Sequence, residues 1–99
     1  MISKPRPPSA PAHLDIRVHG RVQGVCFRAA AHRIATEMQI GGWVRNEDDG
    51  SVFIEAEGAP ADLEKFVAWC RRGPSAAVVQ SVQTVESPVQ GYSTFEISY

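Results

Sequence analysis

Residues 13–57 read HLDIRVHG RVQGVCFRAA AHRIATEMQI GGWVRNEDDG SVFIEAE, and the changes of hydrophobic period along this stretch decide the fold. Residues 13–19 alternate: Leu14, Ile16 and Val18 point one way, His13, Asp15, Arg17 and His19 the other, which is the pattern of a half-buried strand. Residues 20–27, with glycines at 20 and 24, read as a loop. From Arg28 to about Gln39 the period becomes helical. Phe27, Ala30, Ala31, Ile34, Ala35 and Met38 recur at spacings of three and four and form one apolar face. Gly41-Gly42 is expected to end this helix. Residues 43–47 read as a second strand, and Asp48-Asp49-Gly50 as a hairpin turn in which Gly50 can take a positive φ. Residues 51–57 alternate again, Val52, Ile54 and Ala56 on one side, Phe53, Glu55 and Glu57 on the other.

The same reading extends in both directions. Pro60 suits the first position of a second helix, and Asp62 and Glu64 suit its first turn, where the helix dipole favours acids. Leu63, Phe66, Val67 and Cys70 make its apolar stripe. Arg71 and Arg72 fit the last turn, and Gly73-Pro74 stops it. Residues 77–85 read as a fourth strand and 94–98 as a short fifth. The order β-α-β-β-α-β is the ferredoxin-like split pattern. It predicts an α+β sandwich, an antiparallel sheet with two helices on one face, plus the short terminal strand. Residues 1–12 hold four of the seven prolines and are expected to form a flexible tail ahead of one domain over 13–99.

Ninety-nine residues leave no room for a second core. A hydrophobic share of 43% and a charged share of 21% exclude a wholly disordered chain. No run approaches a membrane span, and the first residues lack the apolar core of a secretory signal. A cytoplasmic location is therefore expected. Net charge is −1, but it is unevenly spread. Residues 13–46 carry five arginines against two acids, and residues 47–99 carry nine acids against three cations. A near-neutral chain is a poor general nucleic-acid binder, while the arginine-rich first half can still build a compact anion site. Two cysteines make no disulfide framework; Cys70 is expected in the core.

The loop before the first helix breaks local rules. Gly24-Val25-Cys26-Phe27 offers no Ser, Thr, Asp or Asn to cap the first N–H groups. Arg28 follows, a cation where the dipole is already positive. Free N–H donors and an arginine at a helix N-terminus make an anion site. The alternative is a poorly capped, solvated helix end.

These residues resemble the acylphosphatase family. The resemblance rests on Gly20-Arg21-Val22-Gln23-Gly24-Val25-Cys26-Phe27-Arg28, on Gly42-Trp43-Val44-Arg45-Asn46 and on Asp49-Gly50-Ser51-Val52. It continues through Glu57-Gly58, Gly73-Pro74, Tyr92 and Phe95-Glu96-Ile97, and so spans residues 13–99. The family often has Gly where Cys26 stands, and an aromatic just after the arginine, where Ala29 and Ala30 stand. The resemblance implies hydrolysis of small acyl phosphates to a carboxylate and phosphate, with no metal and no cofactor. It implies a phosphate-binding loop of Arg21, Val22, Gln23, Gly24, Val25, Cys26 and Phe27, a catalytic arginine at Arg28 and a water-positioning asparagine at Asn46. The chemistry of those residue types agrees. A guanidinium fork can hold two phosphate oxygens, and a neutral carboxamide can hold a water without repelling the anion.

Other chemistries fit less well. A thiol phosphatase needs Cys-x5-Arg, and six residues after Cys26 stands His32. His13, His19, His32 and the cysteines lack metal-ligand spacing along the chain, and the histidines are expected at the surface. Glu55 and Glu57 beside Phe53 argue against an RNA-binding sheet. Larger hydrogenase-maturation carbamoyltransferases begin with a similar domain; a chain ending at Tyr99 is expected to be the free enzyme, acting as a monomer.

Overall fold

The structure, a computed structural model, describes residues 10–99. The elements run β1 (Ala12–Arg21), α1 (Phe27–Glu37), β2 (Gly41–Asn46), β3 (Val52–Gly58), α2 (Pro60–Arg72), β4 (Val78–Ser87) and β5 (Phe95–Ile97). One sheet forms in the order β4-β1-β3-β2-β5. Its first four strands pair antiparallel, and β5 joins β2 in parallel. The expected antiparallel sheet holds for four strands, and the short terminal strand makes the whole sheet mixed. β4 and β2 run in opposite directions, so the chain that reverses after β4 runs along β2 in its own direction. The ferredoxin-like α+β architecture stands.

The alternation along β1 and β3 sets the core. Ile16, Val18, Val52, Ile54 and Ala56 are fully buried against the helices. Leu63, Phe66, Val67 and Cys70 of α2 and Phe27, Ala31 and Ala35 of α1 meet them from the other layer. Phe66 stacks on Trp69 and packs edge-on to Phe95. Burying a ring of this size contributes about 1.5–3 kcal/mol relative to leaving it in water.

Several boundaries and one side-chain placement differ from the sequence reading. Ala12, assigned to the tail, is already in β1, buried and paired with Gly58. Of the rest of the expected tail, residues 1–9 lie outside the described residues. β1 runs through Arg21, past a bulge between His19 and Gly20, so the loop before α1 is shorter than expected.

Gly41-Gly42 does not end α1. Gln39 does, at φ 57, with its N–H on the Thr36 carbonyl and the Ile40 N–H on the Ala35 carbonyl, a Schellman turn made without glycine. Gly42 serves β2 instead. A Cβ there would sit 1.8 Å from the Glu55 carbonyl oxygen.

His13 was expected at the surface and is 1% exposed. The segment after β4 folds over the far end of the open sheet face and covers it. Glu57 anchors that segment, accepting the main-chain N–H groups of Gln90, Gly91 and Tyr92 while also bonding His13 Nδ1. Burial alone would raise the Glu57 carboxyl pKa, but these donors outweigh it and hold it below the usual range.

Candidate active site

The site is built where β1 hands over to α1. Cys26 caps the helix at φ 63, ψ 28 and gives no side-chain hydrogen bond to the first turn. No acid stands in that turn either. Gly24 also has positive φ, +73, and a Cβ there would meet nothing within 4 Å. Glycine at 24 is thus required by the backbone conformation rather than by crowding. The two left-handed residues curl the chain so that the helix start faces a cleft.

That cleft has a volume of about 310 Å³. Val22, Gly24, Cys26, Phe27, Arg28, Ala29, Asn46, Ile97 and Tyr99 line it. The structure therefore brings Arg28, at the start of α1, and Asn46, the last residue of β2, to one cavity from opposite sides. Val22 and Phe27 are buried, so they offer the cleft main chain and anchor the loop to the core. Arg21, Gln23 and Val25 do not line it. Arg21 is exposed at the end of β1, Val25 packs on the core, and Gln23 turns towards the β2–β3 hairpin. There its amide donates to the main-chain carbonyls of Glu47 at 2.7 Å and Ser51 at 2.9 Å.

Arg28 is held from a direction the sequence did not disclose. One guanidinium N–H donates to the Ser98 carbonyl at 3.0 Å, and the Tyr99 ring lies 4.7 Å from Cζ. The C-terminal segment leaves the rest of the fork for a ligand. Asn46 ends β2 opposite Val52, and the turn beyond it is closed by Glu47 N–H on the Ser51 carbonyl. The Ser51 N–H and hydroxyl both donate to Asp49. Those two hydrogen bonds hold the Asp49 carboxyl below its ordinary range.

A cationic fork, an uncapped helix N-terminus and a neutral amide thus meet at one cleft. The acylphosphatase family profile matches residues 14–97. The chain belongs to the acylphosphatase family. An acylphosphatase of Thermotoga petrophila is 48% identical over 86 residues, covering 87% of this chain and 96% of that protein. The crystal structure of acylphosphatase from Bacillus subtilis superposes with a TM-score of 0.86 at 38% identity, covering 89% of this chain and 99% of that one. Full-length HypF, solved in a phosphate- and nucleotide-bound form, matches with a TM-score of 0.82 at 30% identity. That match covers 92% of this chain and 12% of HypF. As an acylphosphatase, the chain is a hydrolase of acyl phosphates.

Proposed function

We propose that this chain hydrolyses small acyl phosphates in the cytoplasm as a monomer, without metal, cofactor or nucleic acid, and that Arg28 and Asn46 divide the work. The observation that carries the reading is that both side chains line one cleft beside an uncapped helix N-terminus. The phosphoryl oxygens bind the Arg28 guanidinium and the N–H groups of the 21–27 loop that face the cleft, at Val22, Gly24, Cys26 and Phe27. These donors stabilise the charge that builds on the transferring group. The Asn46 carboxamide oxygen accepts a hydrogen bond from a water and holds it for in-line attack on phosphorus. The new P–O bond forms as the bond to the acyl oxygen breaks, its electron pair leaving with the carboxylate. The water protons end on phosphate and solvent. A carboxylate is a weak base and leaves without a general acid, in keeping with a cleft whose lining, among the described residues, holds no His, Asp or Glu side chain.

The test is hydrolysis of a generic acyl phosphate by the purified chain, with and without a chelator. Equal turnover in both is expected. Loss of turnover on chelation, restored by a divalent metal, would overturn the reading.

A further inference from the structure

We propose that His13, Asp15 and Glu55 form a binding site for one divalent transition-metal ion of the zinc class, on the open face of the sheet and separate from the catalytic cleft. His13 and Asp15 share one face of β1, and Asp15 stands directly opposite Glu55 in β3. Like charges directly opposite in an antiparallel pair are destabilising, and the His13 ring, hydrogen-bonded to carboxylates through both nitrogens, lies against the two acids.

The geometry places a nitrogen ligand there. His13 Nε2 lies 3.0 Å from Asp15 Oδ1 and 3.2 Å from Glu55 Oε1. All three ligand atoms fall within 4.8 Å of one another. Tetrahedral zinc with ligands at about 2.0–2.1 Å has ligand–ligand edges of about 3.3 Å, so the two short edges already match. Closing the third needs only a small turn of the carboxylates, and those are the exposed members, at 31% and 22% against 1% for His13. The exposed side also gives an ion its way in from solvent.

The surroundings have the organisation of a metal site one layer out. His13 Nδ1 bonds Glu57 Oε2 at 2.7 Å, the carboxylate–histidine pairing that orients a metal-ligating ring; Nε2–H donates to Asp15 Oδ1, and an entering ion displaces that proton to solvent. The Ser87 hydroxyl donates to Asp15 Oδ2 at 2.9 Å, leaving Oδ1 as the ligand oxygen. The Tyr92 hydroxyl donates to Glu55 at 3.1 Å. Once the Nε2 proton has left, three electron-pair donors converge on one point with their orientations fixed. Imidazole with two carboxylates suits zinc, cobalt or nickel better than calcium or magnesium. Spacing along the chain hides the set, because its third member comes from another strand.

The experiment is titration of the full chain, stripped with a chelator, with Zn²⁺ by calorimetry and with Co²⁺ by its visible absorption. One equivalent should bind. Asp15→Asn and Glu55→Gln should each weaken binding by at least about 10-fold, His13→Gln should abolish it, and His19→Gln should leave it unchanged. If His13→Gln fails to fold by circular dichroism, the two carboxylate variants decide. The assignment is overturned if no saturable binding appears up to millimolar metal. It is equally overturned if both carboxylate variants bind as the parent does, or if Cys26→Ser removes the binding.

Discussion

The side-chain amide of Gln23 donates to the main-chain carbonyl of Glu47 at 2.7 Å, and Glu47 directly follows Asn46. One residue of the loop before α1 therefore ties down the strand end that carries the amide on the other side of the cleft. A second hydrogen bond, to the Ser51 carbonyl, clamps both ends of the β2–β3 turn. The two halves of the site are fixed to each other as well as to the core.

Breaking that clamp should cost catalysis more than binding. Gln23→Ala removes two hydrogen bonds, each contributing about 0.5–1.5 kcal/mol, and frees the turn beyond Asn46. Small misplacement of a positioning group can cost up to about 100-fold, so kcat is expected to fall by about 10- to 100-fold. The inhibition constant for phosphate should stay within a few-fold. Steady-state kinetics with phosphate as inhibitor checks this, and an unchanged kcat would show that the hairpin holds Asn46 unaided.

Arg28 and Asn46 should fail differently. On the proposed roles, Arg28→Ala removes a contact made with phosphate in both ground and transition states. It should weaken phosphate inhibition and lower turnover together, by about 10²–10³ in rate. Arg28→Lys should rescue little, since an ammonium cannot reproduce the fork. Asn46→Ala should lower kcat by about the same factor while phosphate affinity stays within a few-fold, the signature of an interaction made in the transition state. Equal loss of phosphate binding in both variants would place Asn46 in the cradle rather than on the water.

The two thiols should separate cleanly by reactivity. Burial pushes the Cys70 thiol up to about 12, so it stays protonated and inert at pH 8. Cys26 is exposed. A thiol reagent should modify one cysteine in the folded chain and two after denaturation. Cys26→Gly should also raise stability by up to about 1 kcal/mol in urea unfolding, because φ 63 strains any residue with a Cβ. A lower midpoint for that variant would show that the thiol packs usefully where it stands.

Gly42→Ala should be the most damaging single-methyl change in β2. Its Cβ would sit 1.8 Å from the Glu55 carbonyl oxygen, at φ +137. Overpacking of this kind costs about 1–3 kcal/mol or more, so the midpoint of urea unfolding should fall sharply or the variant should not accumulate folded. Near-parent stability would mean that β2 and β3 separate easily at this point.

The sequence by itself determined the order of elements, the faces they bury and a candidate anion site at Arg28, while Asn46 came only through the family resemblance. Each of the first three is a local property. Period two along residues 13–19 and 51–57, period 3.6 along the two helices, and an uncapped helix start before Arg28 are all read from neighbours in the chain. Tertiary structure decided what depends on residues far apart. The parallel pairing of β5, the Ser98 and Tyr99 contacts to Arg28 and the reach of Gln23 to Glu47 join segments 24 to 71 positions apart. Nothing in one partner's neighbourhood announces the other. His13 shows the same limit. Its alternation placed it correctly on the open face, but only the segment folded back onto Glu57 buried it, and hydrophobic period carries no information about a cover made by polar main chain. The end of α1 erred for a related reason. Gly41-Gly42 was read as a stop because glycine favours left-handed turns, whereas Gln39 makes that turn and Gly42 is needed for the close approach of a neighbouring strand.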